Sequence, residues 1–500
     1  MCFRDVAARG ALLLAALLLA APPAQAQGSE PPAPDPFAAF EAAGASPAPG
    51  GDPFAQALGA APDAPPAAAP GGAFGGSGGL ELLGFAEVEH GVHVGPRGAQ
   101  ERDVVLDNLR VRLQTSRTTP GAGAYLKLDF FQDGVTGASG VELREARLAA
   151  TPLTWLDLSV GRQVNTWGLG DMVFINDLFP KDWVAMFTGR DMEDLKVSAN
   201  SLRLTAYGGP LTWDVVVHPR FAPDAVPSGC RFSVYDPNTQ ALVANPDACG
   251  EAPTRAPEGS GRLQDGEAAT RLMTRLGPLQ AALYGYTGFW KSPRGVMWVE
   301  TATGTPVTDR APNPATDRLE AFHPRLNVFG LSLEGQVGPG ILALEAGHYD
   351  SLDDPDGTDF LIENSTWKTL MGYRMDFTAA FGAGVQWYTE TMDDYAAYEE
   401  AVRLNAPQSF DRRKARRRDT YTLRLTVKAQ QETLWVNLFG YERPQDRDGY
   451  YKLDVTKRFD DHLAFTAGAN VFKGREGYLD REFGMLRDDD NVFGRLRYNF

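Results

Sequence analysis

Basic side chains at every second position are the residues of this chain whose type and spacing could do chemistry. A single valine separates Arg110 from Arg112, and a single leucine separates Arg495 from Arg497. Residues i and i+2 of an extended strand lie on the same face, so each pair projects two guanidinium groups to one side. Because guanidinium groups donate several hydrogen bonds in a geometry that suits carboxylates and phosphates, these faces predict the binding or guiding of anions.

The same alternation assigns further bases to the face that carries these arginines. The predicted set within the strands comprises Arg110, Arg112, Lys127, Arg147, Arg203, Arg271, Arg424, Arg495 and Arg497. Acidic residues on that face are fewer, although the whole chain has 64 acidic and 48 basic residues and a formal charge of −16. The surplus acid would then lie in loops, which predicts an electropositive interior that prefers anionic solutes. The alternative is that these bases only pair with the acids beside them.

The elements that must position these side chains are strands with one apolar and one polar face. Between residues 80 and 500, apolar and polar residues alternate in eighteen segments separated by turn signals. Most segments reach the roughly 9–11 residues that cross a bilayer at a tilt. The pattern predicts an all-β fold, a transmembrane antiparallel β-barrel of about 18 strands (16–18). Its last strand ends on Phe500 and resembles the closing strand of bacterial outer-membrane barrels, whose terminal aromatic is read by the barrel-assembly machinery.

Connection lengths differ between the two ends of the predicted strands. Every second connection is short, as at Gly209-Pro210 and Gly277-Pro278, whereas the intervening ones include 166–199 and 219–266. Outer-membrane barrels have short periplasmic turns and longer extracellular loops. The pattern therefore predicts the outer membrane of a Gram-negative bacterium, with the N- and C-termini in the periplasm.

The N-terminal 79 residues have a different composition. Residues 1–26 combine two arginines, an Ala/Leu run and an A-x-A sequence, and they predict a secretory signal peptide. Residues 27–79 are rich in Ala, Pro and Gly and predict a periplasmic linker. Asp-Pro-Phe-Ala occurs twice in this linker. The repeat predicts a docking peptide for a periplasmic partner, and the alternative is that it only reflects the biased composition. No other long apolar run follows, which excludes a helical membrane protein.

Two cysteines and one acidic cluster are candidates for cross-linking or metal binding. Cys230 and Cys249 predict a disulfide in an exported protein, with two free thiols as the alternative. A metal site at these cysteines is disfavoured, because His218 is the only histidine nearby and no C-x-x-C spacing occurs. Oxygen-rich turns can hold calcium, and the candidate ligands are Asp353, Asp354, Asp356 and Asp359. A solvated acidic loop is the alternative there.

Two short motifs carry a resemblance to a known family. Leu143-Arg144-Glu145-Ala146 is followed by Gly161-Arg162-Gln163 and then by Trp167-Gly168. This L-R-E-A and G-R-Q-x-x-x-W-G sequence resembles a still uncharacterised porin-like family of proteobacterial outer-membrane β-barrels. The family is distantly similar to alginate-export and substrate-specific porins, and some members occur beside resistance–nodulation–division (RND) type transporters. The resemblance implies a passive channel without naming a solute.

The connection 166–199 is too apolar for a free extracellular loop. Phe174-Ile175 and Leu178-Phe179 lie beside charged residues within it. We predict that this loop folds into the lumen and narrows it. The residues expected at the narrowest, anion-facing ring are Arg162, Lys181 and Arg190. A surface lid or a purely structural latch are the alternatives.

The sequence favours transport over catalysis. It contains no G-x-S-x-G, H-E-x-x-H or P-loop motif, so neither an enzyme nor a cofactor is expected. An acidic, exported chain also gives no support for nucleic-acid binding. The favoured function is a channel for small anionic or amphipathic solutes. The alternatives are an exit duct that works with an RND-type transporter or periplasmic partner, and a sealed scaffold. Expected partners are outer-membrane lipid and lipopolysaccharide, the latter through the basic run 412–418.

Overall fold

Eighteen antiparallel strands close into a barrel, which confirms the predicted all-β class and strand number. The computed structural model describes residues 81–95, 98–119, 121–245, 249, 265–308, 311–405, 413–475, 478 and 480–500. The predicted signal peptide 1–26 and linker 27–79 lie outside the described residues.

Each barrel strand pairs with the next barrel strand along the chain, and the last pairs with the first. The barrel strands are β1 (Glu81–His93), β2 (Val104–Thr119), β3 (Ala122–Asp133), β4 (Ser139–Leu153), β5 (Leu156–Gln163), β6 (Ala199–Gly208), β7 (Leu211–His218), β10 (Glu267–Leu276), β11 (Leu279–Phe289), β14 (Arg325–Val337), β15 (Gly340–Ser351), β16 (Thr366–Thr378), β17 (Phe381–Met392), β18 (Arg417–Ala429), β19 (Leu434–Arg443), β20 (Asp448–Arg458), β21 (Leu463–Lys473) and β22 (Asn491–Asn499). Two small hairpins lie in the loops, β8 (Val234–Asp236) with β9 (Ala241–Val243), and β12 (Gly295–Glu300) with β13 (Asp317–Phe322).

The helical elements also lie in loops. They are helix α1 (Trp183–Thr188), helix α2 (Tyr395–Asn405) and the 3₁₀ turns Met192–Leu195 and Gly484–Leu486. Among the described residues, none of these is long and apolar enough to cross a membrane.

The two-residue alternation separates the faces of the barrel wall. On β2, Arg110 and Arg112 are buried inside, whereas Leu109 is 50% exposed on the outside. On β14, Phe329 and Leu331 are likewise exposed on the outside. Successive side chains of a strand point to opposite faces, so the residues on either side of an inward-facing polar residue point outward. The result is an apolar outer surface around a polar interior.

Short turns lie at one end of the barrel and most long loops at the other. The short turns are 120–121, 154–155, 209–210, 277–278, 338–339, 379–380, 430–433 and 459–462, and the opposite end carries 94–103, 164–198, 219–266, 290–324, 352–365, 393–416 and 474–490. Gly277 and Gly338 adopt φ of 65° and 61° in two-residue turns, where the left-handed region favours glycine. Phe500 lies at the short-turn end, where its backbone exchanges two hydrogen bonds of 2.9 Å with Gly84.

A β-bulge in β4 changes which side chains of the L-R-E-A motif face inward. Lys127 pairs with Glu145, whereas the next residue of β3 pairs with Leu143, so Arg144 is the extra residue. An extra residue breaks the strict alternation of faces. Arg144 and Glu145 therefore both point into the barrel, although the simple alternation places only Glu145 there.

Cys230 and Cys249 form the predicted disulfide, with a Cα–Cα distance of 5.0 Å. The bridge lies in the long loop 219–266, and Cys230 is buried. It constrains this loop at the end of the barrel opposite the short turns.

Candidate functional site

The connection between β5 and β6, residues 164–198, lies inside the barrel, and we call it the plug. It contacts inward-facing side chains of strands around the wall, including Arg112 of β2, Glu345 of β15, Arg424 of β18 and Asn491 of β22. A segment that reaches so many strands crosses the lumen rather than following one side of it.

The first half of the plug is held by aromatic packing and by one carboxylate. The Trp167 ring lies 5.0 Å from Phe179 and 6.2 Å from Tyr284 of β11, and the guanidinium of Arg271 stacks over it at 5.2 Å. Glu345 accepts hydrogen bonds of 2.9–3.0 Å from the backbone N–H groups of Leu169 and Asn176 and from the Asn176 amide. These bonds satisfy backbone groups that a loop inside a barrel would otherwise leave without partners.

Helix α1 holds the second half of the plug. Its N-cap Asp182 accepts a hydrogen bond of 2.8 Å from the Ala185 N–H. Phe187 packs among Tyr450, Phe472 and Phe483, with ring centroids 5.4, 5.4 and 5.9 Å away. The Phe187 carbonyl accepts hydrogen bonds of 3.0 Å from the amides of Asn470 and Asn491.

The end of the plug inserts acids among the arginines of the wall. Asp194 is fully buried and forms ion pairs with four arginines, at 2.7 Å to Arg110, 2.9 Å to Arg112, 3.4 Å to Arg144 and 3.2 Å to Arg190. Asp191 pairs with Arg495 and Arg497, and Glu193 pairs with Arg112 and Lys127. We call residues 190–195 the latch.

The other predicted wall bases also face inward and have partners. Arg203 and Arg271 share Asp214 at 3.0 and 2.6 Å. Arg147 stacks over the Tyr125 ring at 5.4 Å, and Arg424 pairs with Asp171 of the plug at 2.6 Å. Around β1–β4 and β22 the bases of the wall therefore form ion pairs with neighbouring acids, and the plug supplies many of these acids. This arrangement matches the alternative to an open electropositive surface. The closely spaced acids Asp191, Glu193 and Asp194 were the sequence signal for these ion pairs. Their spacing alone does not show that the loop carries them to the wall arginines.

The three bases predicted for the narrowest ring lie in different places. Arg162 shares the outer face of β5 with the exposed Val160, because the adjacent Gln163 is buried inside against Ser201. Its Nε donates to the Leu143 carbonyl at 2.8 Å, so Arg162 does not belong in the ring. Lys181 is 3% exposed and bonds within the plug, to Asp177 at 3.0 Å and to the Phe179 carbonyl. Only Arg190 borders open space.

That open space is a cleft between the plug and the wall formed by β18–β22. Its empty volume is about 660 Å³, solvent space at its mouth included. The cations along it are Arg190, Arg424, Lys452 and Arg495, and the acids are Asp191 and Asp454. Its apolar lining is formed by Met172, Met186, Met192 and Phe439. Cations therefore outnumber acids along this cleft.

The acidic turn 353–359 does not assemble as a calcium site. Asp353 pairs with Arg325 at 2.7 Å. Both carboxylate oxygens of Asp354 accept backbone hydrogen bonds of 3.0 Å, from Thr358 and from Asp359. The side chains thus stabilise the turn itself, with Asp356 exposed beside them. Within the described part of the chain, no group of three or more His, Cys, Asp or Glu residues is placed to hold a metal ion.

Asp489 is a buried carboxylate that joins two of the long loops. It accepts a hydrogen bond of 2.9 Å from the Ser233 N–H, and the ring of His93 lies 3.5 Å away. Burial raises the pKa of Asp489 to about 8, against the lowering effect of the Ser233 bond and with further raising by Asp488 and Asp490. At neutral pH the carboxyl group is therefore mainly protonated.

We expect the contact between loop 474–490 and residues 230–236 to weaken as the pH rises. The folded pKa of about 8 lies above the ordinary value of 3.8, so the folded state binds more protons between these values and its stability falls across that window. Hydrogen exchange of residues 230–236 measured from pH 5 to 9, corrected for intrinsic rates, checks this. Asp489→Asn should flatten the dependence, and protection that rises with pH would contradict it.

Solved structures that align with this chain include a porin and an outer membrane protein. A mutant of the Rh. blastica porin aligns at 11% identity over 84% of this chain and 100% of its own, with a TM-score of 0.37. A loop-deletion mutant of OmpT, an outer membrane protein of Vibrio cholerae, aligns at 10% identity over 84% and 99%, with a TM-score of 0.37. No protein-family model and no curated protein matches the chain. The similarity to the porin-like family therefore continues to rest on the L-R-E-A and G-R-Q-x-x-x-W-G motifs.

Proposed function

We propose that this protein is an outer-membrane channel through which small anionic or amphipathic solutes pass passively, along the cleft beside the plug. The observation that carries the proposal is the cleft itself. It is open space between the plug and the wall, and four cations and two acids line it. A path lined by an excess of positive charge favours anions.

The outer surface supports placement in a membrane. Large apolar side chains are exposed around the wall, among them Leu148, Leu283, Phe329 and Trp367. A water-soluble protein rarely exposes so much contiguous apolar surface, whereas a transmembrane barrel presents such a band to lipid. With short turns facing the periplasm, both ends of the barrel domain would be periplasmic, and the closing strand with Phe500 would be available to assembly machinery.

Planar-bilayer recording of the purified full chain tests the channel. We expect small, discrete conductance steps, since the plug occupies much of the lumen. In a potassium chloride gradient the reversal potential should indicate chloride over potassium. Cation preference would contradict the anionic solute class, and a lack of conductance would contradict the channel.

The filled lumen favours one second candidate, an exit duct that opens only with a partner. The plug is anchored on both halves of the wall, so a periplasmic protein that binds linker 27–79 would have to release it. In this case the barrel alone stays closed and conducts after the partner is added. Lipopolysaccharide is a further proposed partner, because Arg413 and Arg417 are exposed at the long-loop end of the barrel.

A further inference from the structure

We infer that the cleft is a saturable binding site for a monoanion with an apolar body, such as an alkyl or aryl carboxylate. The inference deepens the proposed function, since it places this site on the solute path. It rests on two features of the cleft: a cationic group without a close counter-charge, and an apolar lining beside it.

Lys452 is the first cation with spare donors. It is only 4% exposed, and its nearest acid, Asp454, lies 3.9 Å from its Nζ, beyond hydrogen-bond distance. A buried ammonium group carries three N–H donors and is costly to leave without partners. An anion in the cleft would supply what this lysine lacks.

Two arginines add positive charge beside Lys452, Arg190 from the plug and Arg495 from the wall. Nη1 of Arg495 and Nε of Arg190 are buried without a hydrogen-bond partner among the described residues, and the Arg190 Nε lies 3.9 Å from Glu89. The acids nearest to Arg495 are Glu87 at 3.7 Å and Asp191 at 3.5 Å, both longer than a good hydrogen bond. Lys452 can therefore donate a charge-assisted hydrogen bond to a carboxylate, and the two guanidinium groups add to the positive charge around it.

The lining beside these cations is apolar and adaptable. Met172, Met186 and Met192 come from the plug, and Phe439 comes from the wall. Methionine side chains are unbranched and polarisable, so they fit apolar bodies of differing shape. A fully hydrated ion such as chloride gains nothing from this lining, whereas an alkyl or aryl group does.

The charges around the cleft define the ligand class further. Arg424 is paired with Asp171 and Arg190 with Asp194, whereas the acid nearest to Lys452 lies 3.9 Å from its Nζ. One cation therefore lacks a close counter-charge, which suits a single negative charge.

Calorimetric titration of the full chain in lipid nanodiscs tests the site, with empty nanodiscs subtracted. Butyrate, pentanoate and hexanoate serve as probes, because short carboxylates partition weakly into lipid. We expect saturable binding that tightens roughly threefold to fourfold for each added methylene group. Hexylamine should show no saturable binding. Non-saturable heats, or an affinity that does not depend on chain length, would overturn the inference.

Lys452→Gln should weaken hexanoate binding roughly tenfold or more, since a hydrogen bond to a charged group is lost. The matched control is Lys428→Gln, because Lys428 stacks over Trp435 at 4.5 Å on the inner face of β18 and does not border the cleft. Met186→Ser should reduce the dependence on chain length with little effect on butyrate. Equal losses in the two lysine variants would point to general electrostatic attraction and overturn the site.

The titration tests the binding site and the bilayer recording tests the channel, so each hypothesis can be refuted without the other. Saturable binding without conductance would leave the site standing and refute the passive channel. Anion-selective conductance without saturable binding would leave the channel standing and refute the site. Circular dichroism and the heat-modified mobility of each variant show whether its barrel is folded.

Discussion

Replacing Asp194 by asparagine should lower the free energy of unfolding by about 3–5 kcal/mol, the cost of removing one partner from a buried ion pair. The carboxylate is fully buried and faces four arginines, so its loss leaves several guanidinium groups without their main counter-charge. The latch should then leave the wall. Urea unfolding in lipid vesicles measures the stability, and bilayer recording should show higher conductance with stronger anion preference.

The control for this variant is Asp353→Asn. Asp353 pairs with Arg325 at 2.7 Å, but the arginine side chain is 60% exposed. Exposed pairs of this kind contribute about 0–1 kcal/mol, because water and salt screen them. Similar losses of stability in the two variants would show that Asp194 is not the centre of the latch.

Removing the plug should raise single-channel conductance severalfold. Gln163 and Ala199 are paired residues of β5 and β6, so a short Asn-Gly turn can replace residues 164–198 and leave the wall strands in register. A barrel of 16–18 strands without a filled interior encloses an aqueous channel. Conductance in planar bilayers and swelling of loaded vesicles measure the effect.

The control for the deletion shortens a connection between two strands of a loop hairpin instead of a connection between two barrel strands. Residues 301–316 connect β12 and β13, and a turn of the same kind can replace them. This change should leave conductance near that of the parent chain. If both deletions raise it equally, or if neither does, the plug does not set the width of the path.

Much of the wall could be predicted from sequence because the signal is local. On β2, the exposed Leu109 beside the buried Arg110 follows from alternation alone, and the same rule holds in most strands. The β4 bulge could not be predicted, because an extra residue becomes visible only against the partner strand. The expectation for Arg162 was wrong for a different reason: it treated this residue as part of the ring, although alternation from the exposed Val160 places it on the outer face.

The candidate site could be predicted only in part. The apolar plug and the inward direction of Arg110, Arg112, Arg495 and Arg497 follow from local composition and spacing. Their partners do not, because Asp191 and Asp194 reach them through contacts between residues far apart in the chain. Whether the wall arginines form an open basic surface or are paired with acids therefore depends on the tertiary structure. The spare donors of Lys452 become visible only once its neighbours are placed.

The seam between the first and last strands imposes an order on assembly. Glu87 of β1 bonds both to Arg110 of the next strand and to Arg497, which lies 410 residues further along the chain. The latch spans the same seam, since Asp194 contacts β2 and Asp191 contacts β22. Contacts between such distant residues form slowly, because loop closure comes first. The barrel can therefore complete its charge network only when the final strand arrives.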